Sequence, residues 1–489
     1  MHATHATHAT GSATRNKMTA ATEQQTTHAA TPLAADALVA DPRVAAARKL
    51  FLDALQDHQR RLTSIRPADP AREEQYDRTI QRFAALRGGE LYYPYLGSGI
   101  GNGALVELAD GSVKYDMISG IGVHYFGHGH PLVVGAALEA AVSDIVMQGN
   151  LQQDREAMEL TDLLIEQSRL GGAQLAHCLL TTSGAMANEN ALKIAFQKRH
   201  PAQRLLAFDH CFAGRTMALA QVTDKAAYRV GLPTTLAVDY IPFFDQAAPH
   251  TSTAAALLTL RGHLARYPKQ YAAMVIECVQ GEGGYHVGDR DFFLAICREL
   301  RKFDIGIIFD EVQTFGRTTR LFAFQHFGLE EFADIVTIGK LSQLCATLFS
   351  PQYKPQPGLV SQTFTTSTSA LFTGRAIIRE LVDGDYFGPS GKIARVHGWF
   401  RSRLMTLAER LPGSISGPFG LGAMIAFTPF DGSADTVKEL LHRLFDNGVI
   451  AFIAGSSPAR IRFLPAIGAV TEDDVENVCR ILAQVMTSK

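Results

Sequence analysis

Two short runs decide the fold: Ile305-Gly-Ile-Ile-Phe-Asp310-Glu-Val-Gln313, and Asp334-Ile-Val-Thr-Ile-Gly339-Lys340, whose lysine lies thirty residues beyond Asp310. Both are almost continuously apolar, without the alternation of a half-solvated strand. Such runs read as strands buried on both faces, which requires a largely parallel sheet covered by helices. Each run delivers a charged group at its carboxyl end, and a charge buried alone is expensive. One outcome is a buried Asp–Lys pair. The other is chemistry: a desolvated lysine of lowered pKa forms Schiff bases, and a neighbouring acid keeps a cofactor ring protonated. Ligands of open α/β sheets sit outside the carboxyl ends of the strands, where these groups fall.

The neighbouring sequence repeats the pattern. Strand-like runs at Ala176–Thr182, Arg204–Phe208, Thr235–Ile241 and Ala272–Glu277 are separated by helical patterns such as Ala187–Gln197, Ala254–Tyr267 and Asp289–Phe303. Alternation of this kind predicts an α/β unit. Glu277 closes one strand and opens Val279-Gln280-Gly281-Glu282-Gly283-Gly284. Leu179-Leu-Thr-Thr182 turns through Ser183-Gly184-Ala185 into a helix, so backbone N–H groups at the helix start could cradle an anion such as phosphate.

Beyond Gly384 the pattern becomes α+β. A helix at Ile393–Leu411 precedes a strand region at Gly417–Phe427, a helix at Ala434–Asn447, strands at Val449–Ile453 and Arg460–Leu464, and a final helix from Glu472. Near the start, residues 41–64 carry helical spacing, Pro67, Pro70 and the charged run after them read as a connector, and Leu91–Asp116 reads as short strands with a hairpin turn at Asp110-Gly111. The expected organisation is a leader at 1–31, an N-terminal segment with part of a small domain at 32–150, a large domain at 151–385 and a C-terminal small domain at 386–489. The leader's MHATHATHATGS reads as an affinity tag, with His2, His5 and His8 there for an engineered reason.

Composition narrows the function classes. The 489 residues hold 46 basic and 48 acidic side chains, a net charge of −2 that gives no footprint for nucleic acid. No apolar run reaches the roughly 18 residues of a membrane span. Six scattered cysteines without a Cys-x-x-Cys pair fit reduced thiols, and a cytoplasmic protein is expected. Gly99-Ile-Gly101-Asn-Gly103-Ala104 matches a dinucleotide fingerprint only in letters, because neither a clear strand precedes it nor a helix follows. His124, His128 and His130 read as the lead-in to a helix rather than as metal ligands, and no metal is expected.

Thr182-Ser-Gly-Ala-Met-Ala-Asn-Glu, Phe212-Ala-Gly-Arg-Thr, Ile276-Glu-Cys-Val-Gln-Gly-Glu-Gly-Gly, Phe309-Asp-Glu-Val-Gln-Thr-Phe-Gly-Arg and Ile338-Gly-Lys stand in an order that resembles the class III (ω-type, subgroup II) aminotransferases of the ornithine, acetylornithine and 4-aminobutyrate kind. Ser119-Gly-Ile-Gly and Gly127-His-Gly-His-Pro131 upstream, and Arg460-Ile-Arg-Phe-Leu-Pro465 downstream, extend the resemblance over about residues 90–485. It implies fold type I, with a mostly parallel sheet in the large domain and a smaller α+β domain built from both chain ends. It further implies pyridoxal 5'-phosphate as cofactor and a ping-pong exchange between an amino donor, reacting through a distal amine, and a keto acid such as 2-oxoglutarate.

Carried over residue by residue, the resemblance makes Lys340 the Schiff-base lysine and proton shuttle, and Asp310 the partner of the ring nitrogen. Gln313 would bond the ring's phenolic oxygen and Phe212 would stack on the ring. Ser183, Gly184 and Ala185 would cradle the phosphate, Glu277 would belong to the cofactor site, and Thr363 would reach the phosphate of a neighbouring subunit, implying a homodimer with composite sites. Arg215 and Arg462 would bind substrate carboxylates, with Glu282 masking Arg462 while an amine-bearing substrate reacts. The chain departs from the family at Thr314-Phe315, where a glycine is missing, at Leu341-Ser-Gln-Leu-Cys-Ala346 after the lysine, at Thr365-Thr-Ser-Thr368, and at Ala213. These changes leave the cofactor assignment standing and leave the identity of the amino donor open. An aminomutase or racemase of the same fold would share every cofactor residue and is the alternative reading.

Overall fold

The computed structural model describes residue 31 and residues 33–144, 146–149 and 151–488. The tag-like leader with His2, His5 and His8 lies outside the described residues. The core of the molecule is a seven-stranded sheet. Its strands in chain order are β1 (His177–Thr181), β2 (Arg204–Phe208), β3 (Ala237–Ile241), β4 (Tyr271–Ile276), β5 (Gly306–Glu311), β6 (Ile335–Ile338) and β7 (Cys345–Phe349). Across the sheet they lie in the order β1-β7-β6-β5-β4-β2-β3. The pairs β6·β5, β5·β4, β4·β2 and β2·β3 are parallel, and β7 runs antiparallel between β6 and β1.

The apolar runs explain the arrangement. Ile307, Phe309, Ile335, Val336 and Ile338 are fully buried, consistent with a sheet covered on both faces. Helix α1 (Gly184–Arg199) packs across β4, β5, β6 and β7 through Ala187, Ala191, Ile194 and Ala195. Small residues on that face let the helix approach the strands closely. The register sets Asp310 beside Thr337 and Glu311 beside Ile338, while Phe309 pairs with Ile276. Glu277, Asp310 and Lys340 therefore leave three adjacent strands at one edge of the sheet.

A second, four-stranded antiparallel sheet is formed by β8 (Ile415–Leu421), β9 (Met424–Pro429), β10 (Phe452–Ala454) and β11 (Arg460–Phe463), in the order β8-β9-β11-β10. Near the start of the chain, strands at Gly97–Asn102, Leu105–Leu108 and Val113–Asp116 form an antiparallel ladder. Its last strand pairs in parallel with Val449–Ile450, so the two ends of the chain share a sheet.

Two stretches differ from the reading of the sequence. The charged run after Pro70 is a helix, Pro70–Arg87, not a connector. Its faces are mostly exposed and carry Glu and Arg, and the buried Tyr76 with half-buried Ile80 and Ala84 forms only a narrow apolar stripe, so periodicity is weak there. Its signals are local: Asp69 accepts a hydrogen bond from Ala71 N at 3.0 Å, Pro70 occupies the first helical position, and Gly88 ends the helix at φ +74°. Strand β7 is the other surprise. Ser342 and Gln343 interrupt the apolar run after Lys340, and the continuous part begins only at Cys345.

The cap dominates the N-terminus of the 70–87 helix, so Asp69→Ala is expected to cost about 1 kcal/mol locally. Amide hydrogen exchange should speed in the first turns of that helix and stay unchanged in β5 and β6. Unaltered exchange at residues 71–75 would show that packing, not the cap, holds this end.

Candidate active site

Asp310 leaves the end of β5 completely enclosed. Asn188 Nδ2 donates to its Oδ2 at 2.7 Å, Val312 N donates to Oδ1 at 3.0 Å, and the Thr337 hydroxyl lies at 3.5 Å. Burial pushes its carboxyl up to about 6, against the pull of these hydrogen bonds and of Lys340. Asn188 is itself held. Its Oδ1 accepts from Thr337 Oγ1 at 2.7 Å, and its Nδ2 also reaches Ala213 O at 2.8 Å. Sequence reasoning assigned neither Asn188 nor Thr337 a role. The available signal was an asparagine inside an apolar helix face, where it is unfavourable unless partnered.

Lys340 follows β6 at the start of a short 3₁₀ turn, Lys340–Ser342, and adopts φ +59°. A non-glycine residue in this left-handed region is uncommon and marks local strain. The amine has no ion-pair partner within 4.0 Å among the described residues. Burial drives its pKa below the ordinary lysine value, the carboxylate of Glu282 opposes this, and the guanidinium groups of Arg462 and Arg317 add to it. An amine of lowered basicity is what nucleophilic attack on a carbonyl requires.

Around these two residues the remaining positions fall as follows. Ser183 caps α1, its Oγ accepting from Met186 N at 3.2 Å. A Cβ on Gly184 would come within 2.6 Å of Val312 Cγ1, so only glycine lets the helix start approach the loop after β5. The N-terminal N–H groups of α1 and the absent side chain form a cradle suited to a phosphate. Glu277, buried at the end of β4, accepts from Phe212 N at 2.8 Å and Gly281 N at 3.1 Å. Burial and the nearby Asp310 raise its pKa to about 8. One carboxyl group thus ties together the Phe212 loop and the Gly281-Glu282 loop. A Cβ on Gly281 would overlap the Gln313 amide, so the glycine lets Gln313 lie against that loop.

Arg462, on β11, is fully buried and pairs with Glu282 at 2.6 Å. Its Nη1 also reaches Gly281 O and Gln313 Oε1, each at 3.4 Å. Burial works against charge on both partners, and their mutual attraction outweighs it, lowering Glu282 and raising Arg462. Two residues named from the sequence stand apart from this cluster. Arg215 is exposed; its guanidinium lies 4.1 Å over the Tyr228 ring, Nη2 donates to the Tyr228 hydroxyl at 3.0 Å, and the Phe212 ring is 6.0 Å away. Thr363 is exposed beside strand Phe364–Ser367, its carbonyl accepting from Gly149 N at 3.0 Å.

The histidines of the upstream motif have structural partners: His128 bonds Asp116 Oδ2 at 2.7 Å, and His130 caps the helix Pro131–Ala140. Among the described residues no His, Cys, Asp and Glu group has the arrangement of a metal site, and no helix is long and apolar enough to cross a membrane.

The geometry offers an acid for a ring nitrogen, a desolvated lysine amine, a phosphate cradle at a helix start and an aromatic side chain on an adjoining loop. Those are the parts pyridoxal phosphate requires. Because Asn188 links Asp310 to Thr337, Asn188→Ala should strip Asp310 Oδ2 of its donor and Thr337 Oγ1 of its close acceptor and destabilise the protein by about 1–3 kcal/mol. Chemical denaturation measures this, and a loss under 0.5 kcal/mol would mean water replaces the amide without cost.

Comparison with known proteins gives the same assignment. Residues 98–486 match the family described as aminotransferase class-III. Acetylornithine aminotransferase of Methanocaldococcus jannaschii is 30% identical over 406 residues, spanning 79% of this chain and 92% of that protein. That of Streptococcus mutans is 30% identical over 380 residues, spanning 76% and 91%. Among solved structures, lysine aminotransferase from M. tuberculosis superposes with a TM-score of 0.74 at 23% identity over 83% of this chain and 98% of its own. Ornithine aminotransferase from Toxoplasma gondii gives 0.71 at 22% identity over 83% and 94%. The chain belongs to the class-III aminotransferases: it is a pyridoxal-phosphate-dependent enzyme of fold type I that transfers an amino group to a keto acid.

Proposed function

We propose that the enzyme takes its amino group from the distal amine of a small amino acid or amine and passes it to a dicarboxylic keto acid, 2-oxoglutarate by preference. The observation that carries this reading is the Glu282–Arg462 pair, a fully buried guanidinium masked by a carboxylate at 2.6 Å. A transaminase must admit two unlike substrates to one pocket. A substrate with a carboxylate beside its reacting carbon needs a free arginine there, whereas a distal-amine donor presents hydrogen or alkyl at the same place. A movable acid reconciles the two, neutralising Arg462 for the donor and releasing it for the keto acid. The acetylornithine, ornithine and lysine aminotransferases among the similar proteins are named for donors that carry such a distal amine or its counterpart.

When bound, pyridoxal phosphate supplies an electron sink that makes the carbon bearing the reacting nitrogen acidic. Asp310 holds the ring nitrogen's proton, and Asn188 and Val312 N keep that carboxylate aimed. Lys340 Nζ takes the proton from the reacting carbon and returns one at the neighbouring position. Burial lowers its basicity, which favours the neutral form that can accept a proton. Gln313 would bond the phenolic oxygen, Phe212 would stack on the ring, and Ser183, Gly184 and Ala185 would hold the phosphate. Glu277 positions both flanking loops. Arg215, exposed with its guanidinium 6.0 Å from the Phe212 ring, would receive a distal carboxylate.

The active unit is a homodimer in this reading. Thr363 is exposed and away from its own chain's Lys340 cluster, and exposed apolar side chains of Leu151, Met158 and Phe364 offer a surface for a second copy.

Arg462→Ala should raise the KM for 2-oxoglutarate far more than that for the donor, by about 2–5 kcal/mol of lost binding. Glu282→Ala should make glutamate a relatively better donor. Equal weakening of both half-reactions by Arg462→Ala, or preference for pyruvate over 2-oxoglutarate, would refute the masking role. For the dimer, Lys340→Ala mixed with a variant crippled at Thr363 should form hybrids in which one site has both residues intact. Hybrids verified by mass spectrometry that recover no activity would rule out the cross-subunit threonine.

A further inference from the structure

A second arginine near Lys340 is buried as deeply as Arg462 and has no acid at all. Arg317, in the loop after β5, is 0% exposed. Its Nη2 donates to Gly122 O at 2.6 Å, while Nε and Nη1 have no hydrogen-bond partner. Three of the five N–H groups of the guanidinium are therefore unused. No carboxylate among the described residues pairs with it. The Tyr125 ring, centred 5.2 Å away, is its aromatic neighbour, and burial pulls its pKa below the ordinary arginine value, with Tyr125 and Tyr285 the titratable groups that oppose this. Several other buried or half-buried arginines are answered by acids, as in Arg301–Asp334 and Arg375–Glu156. Those without an acid find other partners: Arg460 stacks on Phe419 at 3.7 Å, Arg229 donates to Gln221 O, Thr223 O and the Tyr240 hydroxyl, and Arg443 donates to Val485 O and Ser488 O.

The location is as telling as the missing partner. The segment Ser119–Gly122 that Arg317 grips runs through four consecutive left-handed residues, with φ of 51°, 64°, 60° and 82°. That segment packs on the Lys340–Ser342 turn, and Gln343 Nε2 ties the adjoining Val123 O at 3.0 Å. A Cβ on Gly122 would come within 2.7 Å of Arg317 Nη2, and one on Gly316 within 2.8 Å of Leu341 beside the lysine. A strained loop is thus drawn close around an uncompensated cation at the turn that carries Lys340. The charge of Arg317 reaches both the Lys340 amine and the Tyr285 hydroxyl, as does that of Arg462.

We propose that Arg317 is a second carboxylate-binding residue of the substrate pocket, sharing with Arg462 the carboxylate next to the reacting carbon of the keto acid. The assignment rests on the transaminase reading above and extends it. A planar guanidinium with spare donors is suited to a carboxylate, and a buried cation of this kind is stabilised when a ligand brings the charge that the chain withholds.

The experiment is calorimetric titration of the holoenzyme with glutarate, a dicarboxylate without a reacting group, followed by steady-state kinetics. Arg317→Gln is expected to weaken glutarate at least fivefold and to raise the KM for 2-oxoglutarate at least fivefold more than that for the donor. Arg317→Lys, which keeps charge but loses the fork, should recover part of the glutarate affinity. A change in glutarate affinity below fivefold, or an equal fall in both half-reactions, would overturn the proposal and leave Arg317 as a clamp on Gly122. Should Arg317→Gln fail to fold, Arg317→Lys decides alone: unaltered glutarate affinity overturns the assignment, and a weakened one supports it. Absence of amino transfer from any distal-amine donor to 2-oxoglutarate in the unaltered enzyme would instead sink the functional reading, while the glutarate titration would still judge Arg317.

Discussion

The hydrogen-bonded register between β5 and β6 is the constraint on which the edge carrying Asp310 and Lys340 depends. It sets Asp310 opposite Thr337 and places Lys340 three residues beyond. Slip that register by one residue and side chains change faces, since strand side chains alternate. Asp310 would then leave Asn188, and the lysine would point away from the acid. The apolar packing of Phe309, Val336 and Ile338 holds the register, so the hydrophobic core and the reactive pair share one cause.

Charge in this pocket is arranged by withholding partners as much as by providing them. Asp310 meets hydrogen-bond donors, Arg462 meets an acid, Glu277 meets only two backbone N–H groups, and Lys340 and Arg317 meet no acid at ion-pair distance. A fully satisfied pocket would be more stable and would have nothing left to offer a ligand. The cost is carried by the large apolar sheet behind it, as expected where stability and function compete.

Much of this was legible in the sequence, and the reasons differ by element. Arg204–Phe208 matches to the residue, β1 and β4 match to within one, and β5 and β6 lie inside the runs quoted for them, because continuous Val, Ile, Leu and Phe runs leave few alternatives. Lys340 and Asp310 stood out because a charge at the end of such a run is conspicuous. The helix at 70–87 was not legible from periodicity, since its faces are mostly polar and its signals are a single cap and a terminal glycine. Strand β7 escaped because Ser342 and Gln343 interrupt the apolar pattern just where the chain reverses. Asn188 and Arg317 sit inside quoted motifs, but what distinguishes them is who their neighbours are, and that emerges only when helix, strand and loop are folded together.

The reversal after Lys340 carries a consequence for motion. The lysine sits on a tight connection between two interior strands, β6 on one side and the antiparallel β7 on the other, with five β7·β1 pairs beyond. To release the backbone at Lys340, the protein must break hydrogen bonds in the middle of the sheet, not at a frayed edge. Local opening at the lysine therefore costs more than opening of an exposed segment such as those that carry Arg215 and Thr363. The lysine is thereby anchored to the hydrogen-bonded middle of the sheet, while Arg215 and Thr363 stand exposed outside it.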